Sequence, residues 1–161
     1  MSPEPHGVDD PKRWMDFART DLRMASEGIK HGYRLEPLCY HAQQAAEKAL
    51  KALLVARRVP FPKVHDLKKL MALLPPDLYP PREVRAATDI TQYSEAGRYP
   101  QGFEDVTQNE YRHAVELAKG VFDWVEKVLA QEKHSGPQAQ EKPAPYRAPK
   151  RGLKRKIKVK K

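Results

Sequence analysis

The sequence is poor in the residues that build disulfide frameworks, metal clusters and membrane spans. It contains one cysteine, Cys39, which excludes an internal disulfide, and no metal-ligand spacing surrounds it. No apolar run approaches the roughly 18 residues of a membrane-spanning helix. The polar N-terminus contains Pro3, Pro5 and Gly7, which is not the composition of a signal peptide. We therefore expect a cytoplasmic protein that does not associate with a membrane.

Motifs that mark the common enzyme classes are also missing. The sequence has no glycine loop of the kind that holds phosphates, no nucleophile elbow and no His/Cys cluster with metal spacing. Its acidic neighbours Glu104 and Asp105 have no partner at metal-binding distance along the chain. We therefore expect neither a metal nor a cofactor.

The net charge of +9 is concentrated at one end of the chain. Residues 1–132 hold 19 Lys and Arg against 20 Asp and Glu, a balance of −1, whereas residues 133–161 hold 11 basic residues and one acid, a balance of +10. Prolines interrupt this last segment, which has almost nothing apolar to bury, so we expect a disordered tail. The tail, rather than the near-neutral remainder, is the candidate for binding a polyanion.

Residues 39–54 are the strongest helix-forming stretch, because good helix formers dominate and neither glycine nor proline interrupts them. At about 100° per residue the small and apolar side chains share one arc of this helix. That arc comprises Leu38, Ala42, Ala45, Ala46, Ala49 and Leu53, and the opposite arc comprises Gln43, Gln44, Glu47, Lys48 and Lys51. Small residues let a neighbouring helix approach closely, so we expect this helix at the centre of a bundle.

Apolar spacing predicts four further helices. The five predicted helices cover about residues 11–31, 36–57, 67–74, 81–96 and 107–131. We expect Asp10 and Asp66 to cap the first and third helices, and Gly97 to end the fourth. The first helix carries an apolar stripe of Trp14, Phe17, Ala18, Leu22, Ala25 and Ile29. The fold is therefore expected to be all-α: an antiparallel bundle of four to five helices over residues 10–132, after a flexible N-terminus of residues 1–9.

Three elements of this sequence together resemble the HEPN domain family. They are the run from His41 to Leu54, the tripeptide His65-Asp66-Leu67 and the tripeptide Arg98-Tyr99-Pro100. The resemblance covers roughly residues 10 to 131. It implies a compact helical bundle that forms a homodimer and is the partner of a minimal nucleotidyltransferase in a toxin–antitoxin-like two-component system. It also implies nucleotide or RNA as a ligand.

Several polar side chains are candidates for that ligand. His41, Gln44, Lys48 and Lys51 lie within about 80° of each other on the second helix, where they can donate to a phosphate or an RNA backbone. The alternatives are an ordinary solvated helix face, or partners for acids on adjacent helices. Arg98 can bind a phosphate in bidentate fashion through its planar guanidinium group. Pro100 restricts the backbone conformation of the neighbouring Tyr99. The alternative for Arg98 is an internal salt bridge.

Catalysis is a separate question. Many HEPN proteins are metal-independent ribonucleases, marked by an arginine, four to six residues and a histidine on a late helix. Here that pair is absent from the late helix, and the two formal matches, Arg34 with His41 and Arg58 with His65, straddle earlier connections. We therefore expect a non-catalytic module. His65, Asp66 and Arg98 remain the candidates for a ribonuclease, with Asp66 either orienting His65 for proton transfer or capping the third helix.

The tail supports a third function. Its basic residues can bind a polyanion without sequence preference, with release of counterions. The contacts would come from Lys150, Arg151, Lys154, Arg155 and Lys156. The chain would then be a nucleic-acid-binding adaptor, and the alternative is a tail that only confers solubility.

Overall fold

The computed structural model describes residues 9–95, 100 and 104–135, and within these ranges the regular structure is entirely helical. This confirms the prediction of an all-α fold. Five α-helices follow one another as α1 (Pro11–Glu27), α2 (Leu35–Ala56), α3 (Leu67–Ala72), α4 (Arg82–Arg85) and α5 (Gln108–His134). Three 3₁₀ segments join them, at Gly28–His31, Pro76–Leu78 and Ala86–Ser94.

Helix α2 lies at the centre of the bundle. It packs against α1, α5, α3 and the 3₁₀ segment Ala86–Ser94. Its small side chains make this possible, because alanines bring the neighbouring helices close. Those at positions 42, 45, 46, 49 and 52 have no exposed surface. The prediction of a central, alanine-lined helix is confirmed.

In the packing of α1 against α2, the end of each helix contacts the start of the other. Gly28, at the end of α1, lies against Leu38 near the start of α2. Lys51, near the end of α2, lies over the ring of Trp14 near the start of α1. The two helices are therefore antiparallel, as predicted. Helix α5 also contacts α1. The hydroxyl of Tyr111 on α5 donates to the backbone carbonyl oxygen of Ala25 on α1 across 2.6 Å.

Side-chain caps fix where three of the helices begin. Asp10 accepts a hydrogen bond from the amide of Lys12, and Asp66 accepts from the amides of Lys68 and Lys69. Both predicted caps are confirmed. Thr107 and Glu110 form a reciprocal capping box at the start of α5, in which each side chain accepts from the backbone amide of the other residue.

The predicted fourth helix over 81–96 is present, but most of its length is 3₁₀ rather than α-helix. Only Arg82–Arg85 is α-helical, and the chain continues as the nine-residue 3₁₀ helix Ala86–Ser94. The buried residues Val84, Ala87 and Ile90 are spaced by three, which is the repeat of a 3₁₀ helix with three residues per turn. An α-helix would turn each successive member of this series away from the core. The predicted stop at Gly97 lies outside the described residues.

Gly28, at the end of α1, lies in close contact with α2. A Cβ atom built on Gly28 would lie 2.3 Å from the Cδ2 atom of Leu38 and 3.1 Å from the Cδ2 atom of Tyr33. Leu38 is only 2% exposed, so its side chain has to shift to accommodate the added methyl group. The backbone of Gly28 has an ordinary helical φ of −61°, so its requirement for glycine is steric.

We expect Gly28→Ala and Gly120→Ala to change stability in opposite directions. At Gly28 the new methyl group overlaps Leu38, so the free energy of unfolding should fall by about 1–3 kcal/mol. At Gly120, within α5, no atom lies within 4 Å of the added Cβ atom. Alanine there should raise the free energy of unfolding by about 0.5–1 kcal/mol through its better helix propensity. Urea titrations of both variants test this, and a stabilised Gly28→Ala would contradict the close contact.

Candidate functional site

The first polar cluster of the core joins α1 to α2. Asp21 on α1 is only 7% exposed, and its carboxylate lies 2.8 Å from Nδ1 of His41 and 2.5 Å from Nζ of Lys48. Because a carboxylate only accepts, Nδ1 of His41 carries a proton here. Burial alone raises the pKa of Asp21, but the hydrogen bonds and charges of His41 and Lys48 outweigh it, so the pKa lies below its ordinary value.

The second cluster is centred on Glu47, which is 3% exposed. Its carboxylate lies 2.6 Å from Nζ of Lys51 and 3.1 Å from Nδ1 of His65, and accepts from the amide of Gln43 at 3.0 Å. Burial raises the pKa of Glu47, but the attraction of Lys51 and the hydrogen bonds of Gln43 and His65 bring it below its ordinary value. Gln44 completes the cluster by donating to both Gln43 and Glu47.

This second cluster also holds the connection that precedes α3. The side-chain amide of Gln43 donates to the backbone carbonyl oxygen of His65 at 2.9 Å. Because the carbonyl and the ring of His65 both contact α2, the connection is tied to the helix at two points. The polar side chains of α2 therefore act first as structural ties within the bundle.

Aromatic rings enclose the two lysines of these clusters. Nζ of Lys51 lies 5.8 Å from the ring centre of Trp14 and 5.6 Å from that of Phe61. Nζ of Lys48 lies 5.8 Å from the ring centre of Phe17. Each ammonium group thus lies near both a carboxylate and an aromatic ring, an arrangement that stabilises a cation.

The interpretation of the second helix as having a solvated polar face is wrong. Gln44 and Lys51 are buried, because α1 and the connection before α3 cover that side of the helix. The alternative, that polar side chains of this helix are partners for acids on adjacent helices, is confirmed for Lys48 and His41, which share Asp21. Their role in binding nucleotide or RNA stays a prediction. Lys48 and His41 would have to bind that ligand although they already contact a carboxylate.

The structure assigns different partners to His65 and Asp66. The carboxylate of Asp66 accepts from two backbone amides at the start of α3, which is the capping role. The Nδ1 atom of His65 faces Glu47, so Glu47 occupies the position that the proton-transfer interpretation gave to Asp66. The side chain of His65 is 54% exposed, so its other ring edge faces solvent.

Other predicted site residues lie outside the described residues. These are Arg98 and Tyr99 in the segment before α5, and Lys150, Arg151, Lys154, Arg155 and Lys156 in the tail. Their assigned roles in binding nucleotide, RNA or a polyanion stay predictions.

An apolar surface lies along the edge of α1. Five large hydrophobic side chains are exposed in the described part of the chain, and four of them, Phe17, Met24, Ile29 and Tyr33, fall within residues 17–33. Phe17 and Ile29 were predicted to lie on the inward stripe of the first helix, and this is wrong, because they are 52% and 36% exposed. Seven residues separate Phe17 from Met24, which places both on one face of α1.

A groove opens beside this surface, between the second half of α1 and the first turns of α2. Its volume is about 580 Å³. Met24, Gly28, Tyr33 and Leu38 supply its apolar lining. Arg23, Glu27, His31, Arg34 and His41 are the ionisable residues of its walls. We call this feature the α1–α2 groove.

Asp21 was missed by the sequence analysis as a site residue, although a signal was present. It is a lone acid within the inward stripe of α1, next to Leu22 and three residues after Ala18. A charged residue at such a position requires a buried partner. The central role of Glu47 was also missed, because its contact with His65 joins residues 18 positions apart.

The described residues contain no metal-binding cluster and no membrane-spanning helix. No three His, Cys, Asp or Glu side chains come together in a way that could hold a metal ion. None of the helices described is both long and apolar enough to cross a membrane.

Comparisons with known proteins agree with the helical architecture. The family model described as HEPN domain matches residues 11–128. The crystal structure of TT1696 from Thermus thermophilus is 31% identical, with a TM-score of 0.62 over 73% of this chain and 96% of that chain. ST0689, an archaeal HEPN homologue, is 24% identical, with a TM-score of 0.59 over 74% and 98% of the two chains, and shows the shared fold. No curated protein matches the chain.

The buried pair of Glu47 and Lys51 should show strong coupling in a double-mutant cycle. Glu47→Gln or Lys51→Met alone leaves one charge buried without its counter-ion, so each should lower the free energy of unfolding by about 3–5 kcal/mol. The double variant should lose much less than the sum of the two. Urea unfolding measures all three variants.

The exposed pair of Lys119 and Asp123, whose side chains are 64% and 54% exposed, provides the control. Asp123→Asn should cost less than about 1 kcal/mol, because solvent screens that pair. Additive losses at Glu47 and Lys51 would contradict the buried pair.

Proposed function

Because the chain belongs to the HEPN domain family, we propose that its helical bundle is a protein-interaction module whose partner is a minimal nucleotidyltransferase. The two proteins would form a toxin–antitoxin-like two-component system in the cytoplasm, with this chain as the non-catalytic half. The family assignment supports the kind of system, and the surface of the bundle supports the role of interaction module.

The observation that carries this proposal is the concentration of exposed apolar side chains within residues 17–33, where Met24 and Tyr33 also line the same groove. Phe17, Met24, Ile29 and Tyr33 leave their hydrophobic surface in water on α1 and the turn after it. Contiguous apolar surface on a folded protein marks sites where another protein binds. The remaining exposed residue of this class in the described part of the chain, Tyr79, lies outside this segment.

The state of the α2 cations favours protein binding over phosphate chemistry. Lys48 forms an ion pair with the buried carboxylate of Asp21, and Lys51 forms one with that of Glu47. A phosphate that bound either lysine instead would leave that carboxylate without its lysine counter-ion. Breaking such a buried pair costs several kcal/mol, on the order of 3–5. Binding of nucleotide or RNA through His41, Lys48 and Arg98 is therefore secondary in this proposal.

The same edge of α1 also supports a homodimer, which the family resemblance implies. A second copy would cover the exposed side chains of Phe17 and Met24 as well as a different partner would. The two modes of association are separable by mass, because a homodimer forms without the nucleotidyltransferase.

A ribonuclease is the second candidate, and one observation favours it. Arg34 and His41 line the same groove, and Asp21 orients the ring of His41. A histidine oriented in this way can transfer a proton to or from a phosphodiester bound in the groove. This pair lies at the start of α2 rather than on the late helix that carries the family's catalytic pair.

The proposal is tested by co-expressing the full chain with the nucleotidyltransferase encoded beside its gene. We expect the two proteins to co-purify and to elute together in size-exclusion chromatography with light scattering. Met24→Glu should weaken the complex by about tenfold or more, since it places a charge in the apolar surface. Tyr79→Glu is the matched control, because it adds the same charge at an exposed apolar site away from α1.

Two results would decide against this function. A chain that forms neither a dimer nor a complex would reject the interaction module. Growth arrest on overexpression that Arg34→Ala abolishes, with the fold intact by circular dichroism, would replace it with the ribonuclease.

A further inference from the structure

We infer that the α1–α2 groove is a binding site for a small, uncharged aromatic molecule that carries one N–H or O–H donor. His41 supplies the acceptor for this donor, and Tyr33 and Met24 supply the surface that contacts the ring. The inference goes beyond the proposed function and does not rest on it, because it concerns the chain without a partner. It follows from the size of the groove, its walls, the compensation of its charges and the orientation of His41.

The groove has the size and the lining of a small-molecule site. Such sites are concave, have volumes of about 300–1,000 Å³, and combine mostly apolar walls with a few fixed polar groups. The volume here is about 580 Å³, and Gly28, Pro37 and Leu38 form the apolar part of the lining where the two helices meet. Leu38 belongs to the buried core, so this part of the lining is already in place before a ligand binds.

Two side chains of the lining favour an aromatic ligand. Tyr33 is 62% exposed, and its ring centre lies 5.8 Å from that of His31 at an interplanar angle of 33°. The ring of Tyr33 thus contacts His31 and still keeps surface for a second aromatic ring. Met24 is 48% exposed and brings a thioether, which makes favourable contacts with aromatic rings.

The charges at the groove compensate one another. Arg23 pairs with Glu27 at 3.4 Å, and Arg34 pairs with Glu36 at 3.1 Å and with Asp105 at 3.2 Å. Glu27 itself lines the groove, so the two arginines leave little positive charge unbalanced. A charged ligand would have to compete with one of these pairs, whereas an uncharged ligand leaves all of them in place.

The orientation of His41 determines which polar group the ligand needs. Nδ1 donates to Asp21 at 2.8 Å, and Lys48 supplies the positive charge that balances this carboxylate, so the neutral form of the ring satisfies the cluster. In that form Nε2 carries a lone pair and accepts. His41 lines the groove with 24% of its side chain exposed, and no hydrogen bond to Nε2 is formed within the described part of the chain. The groove therefore offers an acceptor, which an N–H or O–H group of the ligand satisfies.

Other ligands fit this combination less well. A nucleotide or RNA would bring phosphates to arginines that already contact carboxylates. A pure hydrocarbon ring would cover Nε2 of His41 without giving it a hydrogen bond, which costs free energy. A ring that only accepts would set its lone pair against that of Nε2.

The test titrates the isotope-labelled full chain with three ligands that share one ring, and follows the amide chemical shifts by NMR. Indole carries the N–H donor, N-methylindole replaces this donor with a methyl group, and indoleacetate adds a negative charge. We expect indole to bind with a dissociation constant on the order of 1 mM and at least about threefold more tightly than N-methylindole. Indoleacetate should bind no more tightly than indole. The largest shifts should fall within residues 20–41, which contain the lining of the groove.

His41→Asn separates the hydrogen bond from the other effects. The side-chain nitrogen of asparagine can take the place of Nδ1 and donate to Asp21, but nothing replaces Nε2. Indole should then lose its advantage over N-methylindole, whereas the affinity of N-methylindole should stay within about twofold. Tyr33→Leu should weaken both ligands, because it removes the aromatic wall. His113→Asn is the matched control, because His113 is exposed on α5 and does not line the groove.

Three outcomes would overturn the inference. Equal affinities of indole and N-methylindole for the unsubstituted chain would remove the acceptor role of His41, and this comparison does not depend on whether a variant folds. Indoleacetate that binds about tenfold more tightly than indole, with the gain lost in Arg23→Gln or Arg34→Gln, would assign the groove to an anion. Shifts among the lining residues that do not saturate by about 10 mM indole would remove the ligand site and leave the proposed protein partner unaffected.

Discussion

The burial of charge on α2 is the constraint on which the rest of this structure depends. A helix surrounded on most sides can carry lysines and a glutamate only if each charge finds a partner inside the protein. Asp21 from α1 supplies the partner of Lys48, and Glu47 supplies that of Lys51. These pairs also set the positions of α1 and of the connection before α3, because His65 reaches the same carboxylate as Lys51.

This arrangement decides which parts of the surface can act. The cations that a sequence-based view would offer to a phosphate are already bound, whereas Arg23 and Arg34 remain exposed at the rim of the α1–α2 groove. Apolar side chains collect along the same edge, at Phe17 and Met24. Together they give the bundle one face suited to another protein, and a core whose polar groups serve the fold.

Local signals in the sequence predicted the helices and their caps, because periodicity and capping act over a few residues. The 3₁₀ form of the segment after α4 was not predicted, although Val84, Ala87 and Ile90 repeat every three residues, which is the period of that helix. The burial of Gln44 and Lys51 was not predicted, because it depends on which segments cover α2. A helical pattern shows where a polar arc lies on its own helix, and only the tertiary contacts show whether that arc meets water.

Amine labelling tests the central claim most directly. The full chain is treated with an amine-reactive acetylating reagent under native conditions, and each lysine is followed by mass spectrometry. The account predicts that Lys48 and Lys51 react at least about tenfold more slowly than the exposed Lys68 and Lys127, and that concentrated urea removes the difference. Equal rates in the native protein would contradict the internal pairing of the α2 cations.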